Sequence, residues 1–305
     1  MSQMMPLINT VTAFLALMIV GYLAVKRGMV DDDFAKKLSK LLFNVLMPCF
    51  VITSMQYEFT PEILLQSVWL LLISATMTAV GFAIGWLFCK LTRIDGYFKR
   101  IITSAMAFPN FSFMGFPVAY AVFGELGLFY AVIISIPLLM TAQSVGNVIL
   151  NPNGNFGWKK VLNPPFIAAL LGFTLFVSPI ELPGAIYTSL ELIGRPTIPI
   201  SMILVGLLLA NAPLKSIFRE WRYFAVTAMR LILFPLLVFF VLRAFGFEGV
   251  MLGVPVIIAM MPAAAKIIVA AANFGGDTVK AAQITMVTTL LSVLTIPIMV
   301  WILGL

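Results

Sequence analysis

The sequence predicts an all-α polytopic membrane protein: ten transmembrane helices in a five-plus-five inverted repeat, with helices four and nine broken where they cross. Three observations carry this. First, 62% of the 305 residues are hydrophobic and only 10% are charged, whereas soluble domains carry about 25% charged residues. A soluble fold of this make-up, with a mean hydropathy of +1.08, would expose large apolar patches. Second, the basic residues gather in alternate loops. Third, short proline-containing segments recur at one spacing.

Apolar runs long enough to span a bilayer lie near residues 6–25, 37–56, 63–89, 101–123, 127–149, 164–179, 185–210, 223–243, 249–273 and 278–303. The first has no basic stretch before it and no small-residue cleavage site, so it reads as a membrane helix and not a signal peptide. The sixth is short. The fourth and ninth are interrupted by proline and glycine. Fifteen of the nineteen Lys and Arg fall in one set of loops, among them Lys36, Lys37, Lys99, Arg100, Lys159, Lys160, Lys215 and Arg219. The opposite set, with both termini, holds Arg243 alone; Arg195, Arg230 and Lys266 lie within spans. Basic loops stay cytoplasmic, so both termini are expected on the non-cytoplasmic side of the cell (inner) membrane. The net charge of +7 is then a topology signal and implies no nucleic-acid partner.

The chain also matches itself. "LLFNVLMPCFVI" from Leu41 resembles "LIGRPTIPISMI" from Leu192, placing Pro199 151 residues after Pro48. "AMAFPN" from Ala105 resembles "AMMPAA" from Ala259, placing Pro262 153 residues after Pro109. "AVFGEL" after Tyr120 resembles "NFGGDT" from Asn273. The repeated unit is five helices. Five is odd, so the second copy enters the membrane from the opposite side, a signature of secondary transporters. The expected domains are residues 1–149 and 164–305, joined by a short cytoplasmic linker at 150–163.

The fourth span, "RIITSAMAFPNFSFMGFPVAYAVFG", holds Pro109, Gly115 and Pro117. Each proline removes a donor and frees a carbonyl, and non-helical backbone is tolerated at membrane depth only against protein or a wet cavity. Pro262 sits at the matching place in the ninth span. Breaks at corresponding positions point to a binding site, with packing kinks as the plainer reading. Asn110 follows the first break; its amide either holds a substrate carboxylate or caps freed backbone groups, and Ser112 is a weaker candidate for the same site. Lys266, one turn past Pro262, is costly at membrane depth. It binds an anionic substrate, neutralises the partial negative charge where two half-helices end, or titrates. Gln143 and Gln283 are further candidates to line the site, although hydrogen bonding between helices is the default for them, as for Asn147, Thr285 and Thr288. Asn44, Pro48, Arg195 and Pro199 read as structural. Arg195 is expected to pair with Glu191 one turn earlier, and Arg230 to snorkel to the cytoplasmic surface.

The absences exclude several functions. There is no histidine, and the two cysteines, Cys49 and Cys89, lie in separate apolar runs. No metal site, cofactor or histidine-based catalytic residue is implied. All twelve Asp and Glu lie near span ends or in loops. A mid-membrane carboxylate pair for Na⁺ or H⁺ is therefore not visible, and a positive site without an acid favours an anion.

These segments, "FPNFSFMGFP" from Phe108, "MMPAAA" around Pro262, "NVLMPCFVI" from Asn44 and "PISMILVGLLLA" from Pro199, resemble the auxin efflux carrier family. That family includes the plant PIN-formed auxin exporters and many bacterial proteins, and the resemblance spans nearly the whole chain. It implies the ten-helix inverted repeat shared with sodium/proton antiporters and bile-acid symporters. It also implies that Asn110, at the place of an asparagine beside the first crossing, helps hold a substrate carboxylate. Two departures stand out. The long regulatory loop of the plant exporters is replaced here by "NPNGNFGWKKVLNPP", and Lys266 is not part of the plant pattern.

The expected function is alternating-access transport of small organic anions, auxin-like monocarboxylates or malonate- or malate-like dicarboxylates, in the direction of efflux. The partners are that anion and the lipid bilayer, with a homodimer left open. A Na⁺- or H⁺-coupled organic-anion symporter is the alternative within transport. An intramembrane hydrolase using a Ser–Lys pair such as Ser112 with Lys266 is the distant alternative from another class.

Overall fold

A computed structural model describes residues 4–151, 161–178, 180–210 and 220–305. Most of the 150–163 linker, with Lys159 and Lys160, lies outside the described residues, as do Lys215 and Arg219. The described chain is helical throughout; its only β pairing is an isolated antiparallel bridge between Pro109 and Ala263. In order the helices are α1 (Met4–Lys26), α2 (Asp32–Leu41), α3 (Met47–Ser54), α4 (Pro61–Leu91) and α5 (Gly96–Ala107). Then come α6 (Phe116–Gln143), α7 (Val145–Leu150), α8 (Pro164–Val177), α9 (Gly184–Gly194) and α10 (Thr197–Ala210). The last five are α11 (Trp221–Ala228), α12 (Phe234–Ala244), α13 (Gly249–Met260), α14 (Lys266–Asn273) and α15 (Thr278–Leu303).

Among the described residues, six helical stretches are long and apolar enough to cross a membrane, and Thr12–Lys26, Pro164–Val177 and Gly249–Met260 are shorter apolar helices. One of the six, Phe111–Leu150, runs for 40 residues. Straight, it would reach about 60 Å, twice the hydrocarbon core. Gly124, at φ 64° and ψ −149°, interrupts it, close to the boundary expected between the fourth and fifth spans. Large apolar side chains such as Trp69, Leu72, Phe240, Leu294 and Trp301 point outward. In water these would be a liability; they suit a multi-pass membrane protein facing lipid.

Three π turns among the described residues share one cause. They occupy Leu42–Leu46, Phe111–Gly115 and Met229–Leu233, and each ends two residues before a proline: Pro48, Pro117 and Pro235. A proline lacks the N–H that would close the preceding turn, and its ring crowds the carbonyl four residues back. Widening the turn relieves that crowding. The Met47 N–H accordingly reaches back five residues to Leu42 O, and Phe234 N–H to Met229 O.

The chain forms two compact units. One comprises Met1–Leu71, Ser112–Ile136 and Leu162–Asn211; the other comprises Leu72–Phe111, Pro137–Val161 and Ala212–Leu305. Each draws on both halves of the sequence. In the first, α1 and α10 pack backbone to backbone. A Cβ at Gly21 would run into the Ile203 carbonyl, and one at Gly206 into the Met18 carbonyl, the use of small residues expected where membrane helices touch closely. Tyr130, fully buried, donates to Gln66 Oε1. This unit also holds Ser112, Gly115 and Pro117 around the second π turn, with Asn44, Pro48, Arg195 and Pro199. Asn44 is exposed and donates to Lys40 O of its own helix at 2.8 Å. The expected Glu191–Arg195 ion pair is not formed. Arg195 instead lies exposed in the turn between α9 and α10, where only its backbone N–H meets Glu191 O, at 2.8 Å.

Candidate functional site

Two helix breaks meet in the second unit. α5 stops at Ala107 because Pro109 removes a donor and the residue before a proline is driven out of the α region; Phe108 has φ −110° and ψ 101°. α13 stops at Met260 for the same reason, with Met261 extended ahead of Pro262. The freed backbone groups then satisfy one another. Asn110 N–H donates to Pro262 O at 2.7 Å, and Ala264 N–H donates to Phe108 O at 3.1 Å. These two bonds frame the Pro109–Ala263 bridge. Ala263 N–H is taken by Thr288 Oγ at 3.2 Å. At membrane depth unpaired backbone is expensive, and this short antiparallel patch answers that demand.

Side chains seal the junction. Ala107, Phe108 and Ala142 form a buried cluster, with Phe82 and Ala264 packed on it. The rings of Phe82 and Phe108 meet edge-on, centroids 5.2 Å apart. A Cβ at Gly146 would come within 2.7 Å of the Phe108 ring, so glycine lets α7 approach the break.

Three basic side chains serve helix ends here. The final carbonyls of a helix lack partners and carry its partial negative charge. Arg230, in the Met229–Leu233 turn, donates from Nε to Met261 O at 3.0 Å and from Nη1 to Met106 O at 2.6 Å. It thus ties the C-terminal ends of α13 and α5 together. Its guanidinium lies 5.4 Å from the Phe234 ring centroid, its exposure is 1%, and its Nη2 has no partner among the described residues. The snorkelling expected of Arg230 is therefore wrong: two C-terminal carbonyls hold it inside, and the widened turn before Pro235 points it there. Arg100 donates to Ile149 O at 3.0 Å and Tyr97 Oη to Leu150 O at 3.0 Å, closing the end of α7.

Lys266 is the third. It is the first residue of α14, an end whose dipole disfavours a cation. Its Nζ donates to Ala142 O at 2.5 Å, near the end of α6, and to Gln143 Oε1. The half-helix ends at the two breaks, which Lys266 was a candidate to neutralise, are met by Arg230. An ammonium has three donors, so Lys266, half-buried, keeps one. Among the described residues no carboxylate pairs with it or with Arg230. Asn110 is 8% exposed, and its side-chain amide makes no hydrogen bond among the described residues.

Of the residues singled out in the sequence, the structure brings Pro109 and Asn110 against Pro262 and its neighbour Ala263, and Lys266 against Gln143. Gln283 stands near the start of α15, accepting from Tyr223 Oη at 2.5 Å beside the Phe98–Tyr223 ring pair. Lys280 covers Phe98 and pairs with Asp277 at 2.8 Å. Sequence reasoning missed Arg230, Phe108 and Gly146. Among the described residues no group of three or more His, Cys, Asp or Glu is placed to hold a metal.

The described chain is thus a helical, multi-pass membrane protein with two helix breaks paired at Pro109 and Pro262. The sequence model of the membrane transport protein family matches residues 6–156 and 148–300, and the chain belongs to that family, the one the auxin-carrier resemblance pointed to. It is 26% identical over 296 residues to an uncharacterized transporter of Methanothermobacter thermautotrophicus, covering 95% of this chain and 96% of that one. It is similarly 26% identical to an uncharacterized transporter of Methanocaldococcus jannaschii, over 97% and 98% of the two chains. With the uncharacterized transporter YfdV of Escherichia coli K12 it shares 25% identity over 97% of each. The protein is a membrane transporter and not an enzyme.

Proposed function

We propose that this transporter carries small organic anions, mono- or dicarboxylates, by alternating access around the two paired breaks. The observation that supports this best is the pairing of needs at one place. Among the described residues Lys266 keeps a donor and has no acidic partner, and the Asn110 side-chain amide makes no hydrogen bond. A carboxylate meets both. In a poorly solvated site a cation attracts it far more strongly than in water, and the amide N–H groups of Asn110 can donate to a carboxylate oxygen.

In this reading the chain spans the inner membrane ten times, as two inverted five-helix repeats. Its broken fourth and ninth helices cross at Pro109 and Pro262, and both termini are non-cytoplasmic. Inside-negative voltage then drives export of the anion, by about 2.3 kcal/mol per charge per 100 mV. The experiment is a thermal-shift screen of the purified protein against carboxylates, in Na⁺ and in choline. A true ligand raises the melting temperature by mass action. Stabilisation by carboxylates in both salts supports the reading, stabilisation only in Na⁺ favours the coupled symporter, and no response to any carboxylate while other solutes stabilise removes it.

A further inference from the structure

In carriers with broken helices, the C-terminal ends of half-helices and the unwound carbonyls beside them are where a coupling cation is held. In this protein that place is filled from within. The C-terminal ends of α5 and α13 point Met106 O and Met261 O at a single group, the Arg230 guanidinium, at 2.6 and 3.0 Å. The group is fixed, buried to 1% exposure, and backed by the Phe234 ring. It has no acidic partner among the described residues. Among the described residues its charge is therefore offset by carbonyl dipoles and the face of the Phe234 ring, with no carboxylate.

We propose that Arg230 is a tethered cation, occupying permanently the position between the two half-helix ends where an exchangeable Na⁺ would otherwise sit. Arg230 is a positioning residue. By bonding both half-helices it holds the Asn110–Pro262 and Phe108–Ala264 pairs in register, and so holds Asn110 where a carboxylate can meet it. The consequence is functional. A site whose cation is covalently attached has no Na⁺ to bind or release, so anion binding is independent of Na⁺ and transport is not coupled to it there. This deepens the anion-transporter reading and rests on it for the transport consequence. The cation readout itself needs no substrate.

The test compares melting temperatures of the full-length protein and of Arg230→Lys and Arg230→Gln, in NaCl and in choline chloride at equal ionic strength. The wild type and Arg230→Lys, each with one buried cation, are expected to melt alike in both salts. Arg230→Gln is expected to melt at least about 5 °C lower, and to recover part of that difference in Na⁺ or millimolar guanidinium but not in choline. Saturable stabilisation of the wild type by Na⁺ overturns the proposal. So does a folded Arg230→Gln that responds to neither cation, or one that melts with Arg230→Lys. If Arg230→Gln does not fold, an Arg230→Lys protein that folds and ignores Na⁺ supports the proposal, and failure of both leaves the wild-type Na⁺ titration to decide it. Carboxylate titrations of the wild type in both salts separate the two claims. If no carboxylate binds, the anion reading fails while the cation result stands.

Discussion

Arg230 and Lys266 are both basic residues of one unit, the first in the Met229–Leu233 π turn and the second at the start of α14, yet they are held in different ways. Arg230 is 1% exposed and bonds the ends of two half-helices. Lys266 is half-buried, bonds one carbonyl and one amide oxygen, and retains a donor. The comparison teaches that position in a span does not decide what a membrane cation does. Accessibility and spare bonding capacity do. On the proposed reading, a buried cation bonded to helix ends is a strut and a reachable one with a spare donor is a site.

The largest test of that distinction is stability. Arg230→Gln removes charged hydrogen bonds from two buried carbonyls and should cost about 3 kcal/mol, whereas Lys266→Gln should cost about 1 kcal/mol. Melting temperatures in one detergent will rank them, and equal losses would erase the difference between strut and site. Gly146→Val comes next. The added side chain must displace the Phe108 ring, at a cost of about 2 kcal/mol, and should lower anion affinity by disturbing the first break. Unchanged melting and binding would show that the close contact is not needed. The smallest effect on stability belongs to Asn110→Ala. Its amide has no side-chain partner to lose, so stability should stay within about 0.5 kcal/mol while carboxylate binding weakens. A large stability loss with intact binding would instead make Asn110 a cap for the broken backbone.

Much of this architecture was legible in the sequence, for physical reasons. Pro109 and Pro262 mark breaks because a missing N–H cannot be disguised by context, and their spacing predicted that the two would correspond. The Gly124 interruption fell where polar and small residues end an apolar run. What could not be read was partnership across distance. Nothing in the sequence joins Lys266 to Gln143, or Arg230 to Met106, because these bonds are set by packing of separate helices. Arg230 was misread because its place near the basic end of a span fits snorkelling equally well. The clue was Pro235, which widens the turn holding Arg230 and turns it toward the two helix ends. Arg195 was misread for a local reason: spacing of four residues pairs side chains only where the helix continues, and α9 ends at Gly194.

The central claim is that the paired breaks and Lys266 bind an organic anion, and calorimetric titration of Lys266→Gln tests it most directly. A carboxylate that binds the wild type should bind the variant at least about tenfold more weakly, a loss of about 1.4 kcal/mol, with the variant still folded. Wild-type affinity in a Lys266→Gln protein that melts much earlier would contradict the claim and make Lys266 a support for the end of α6.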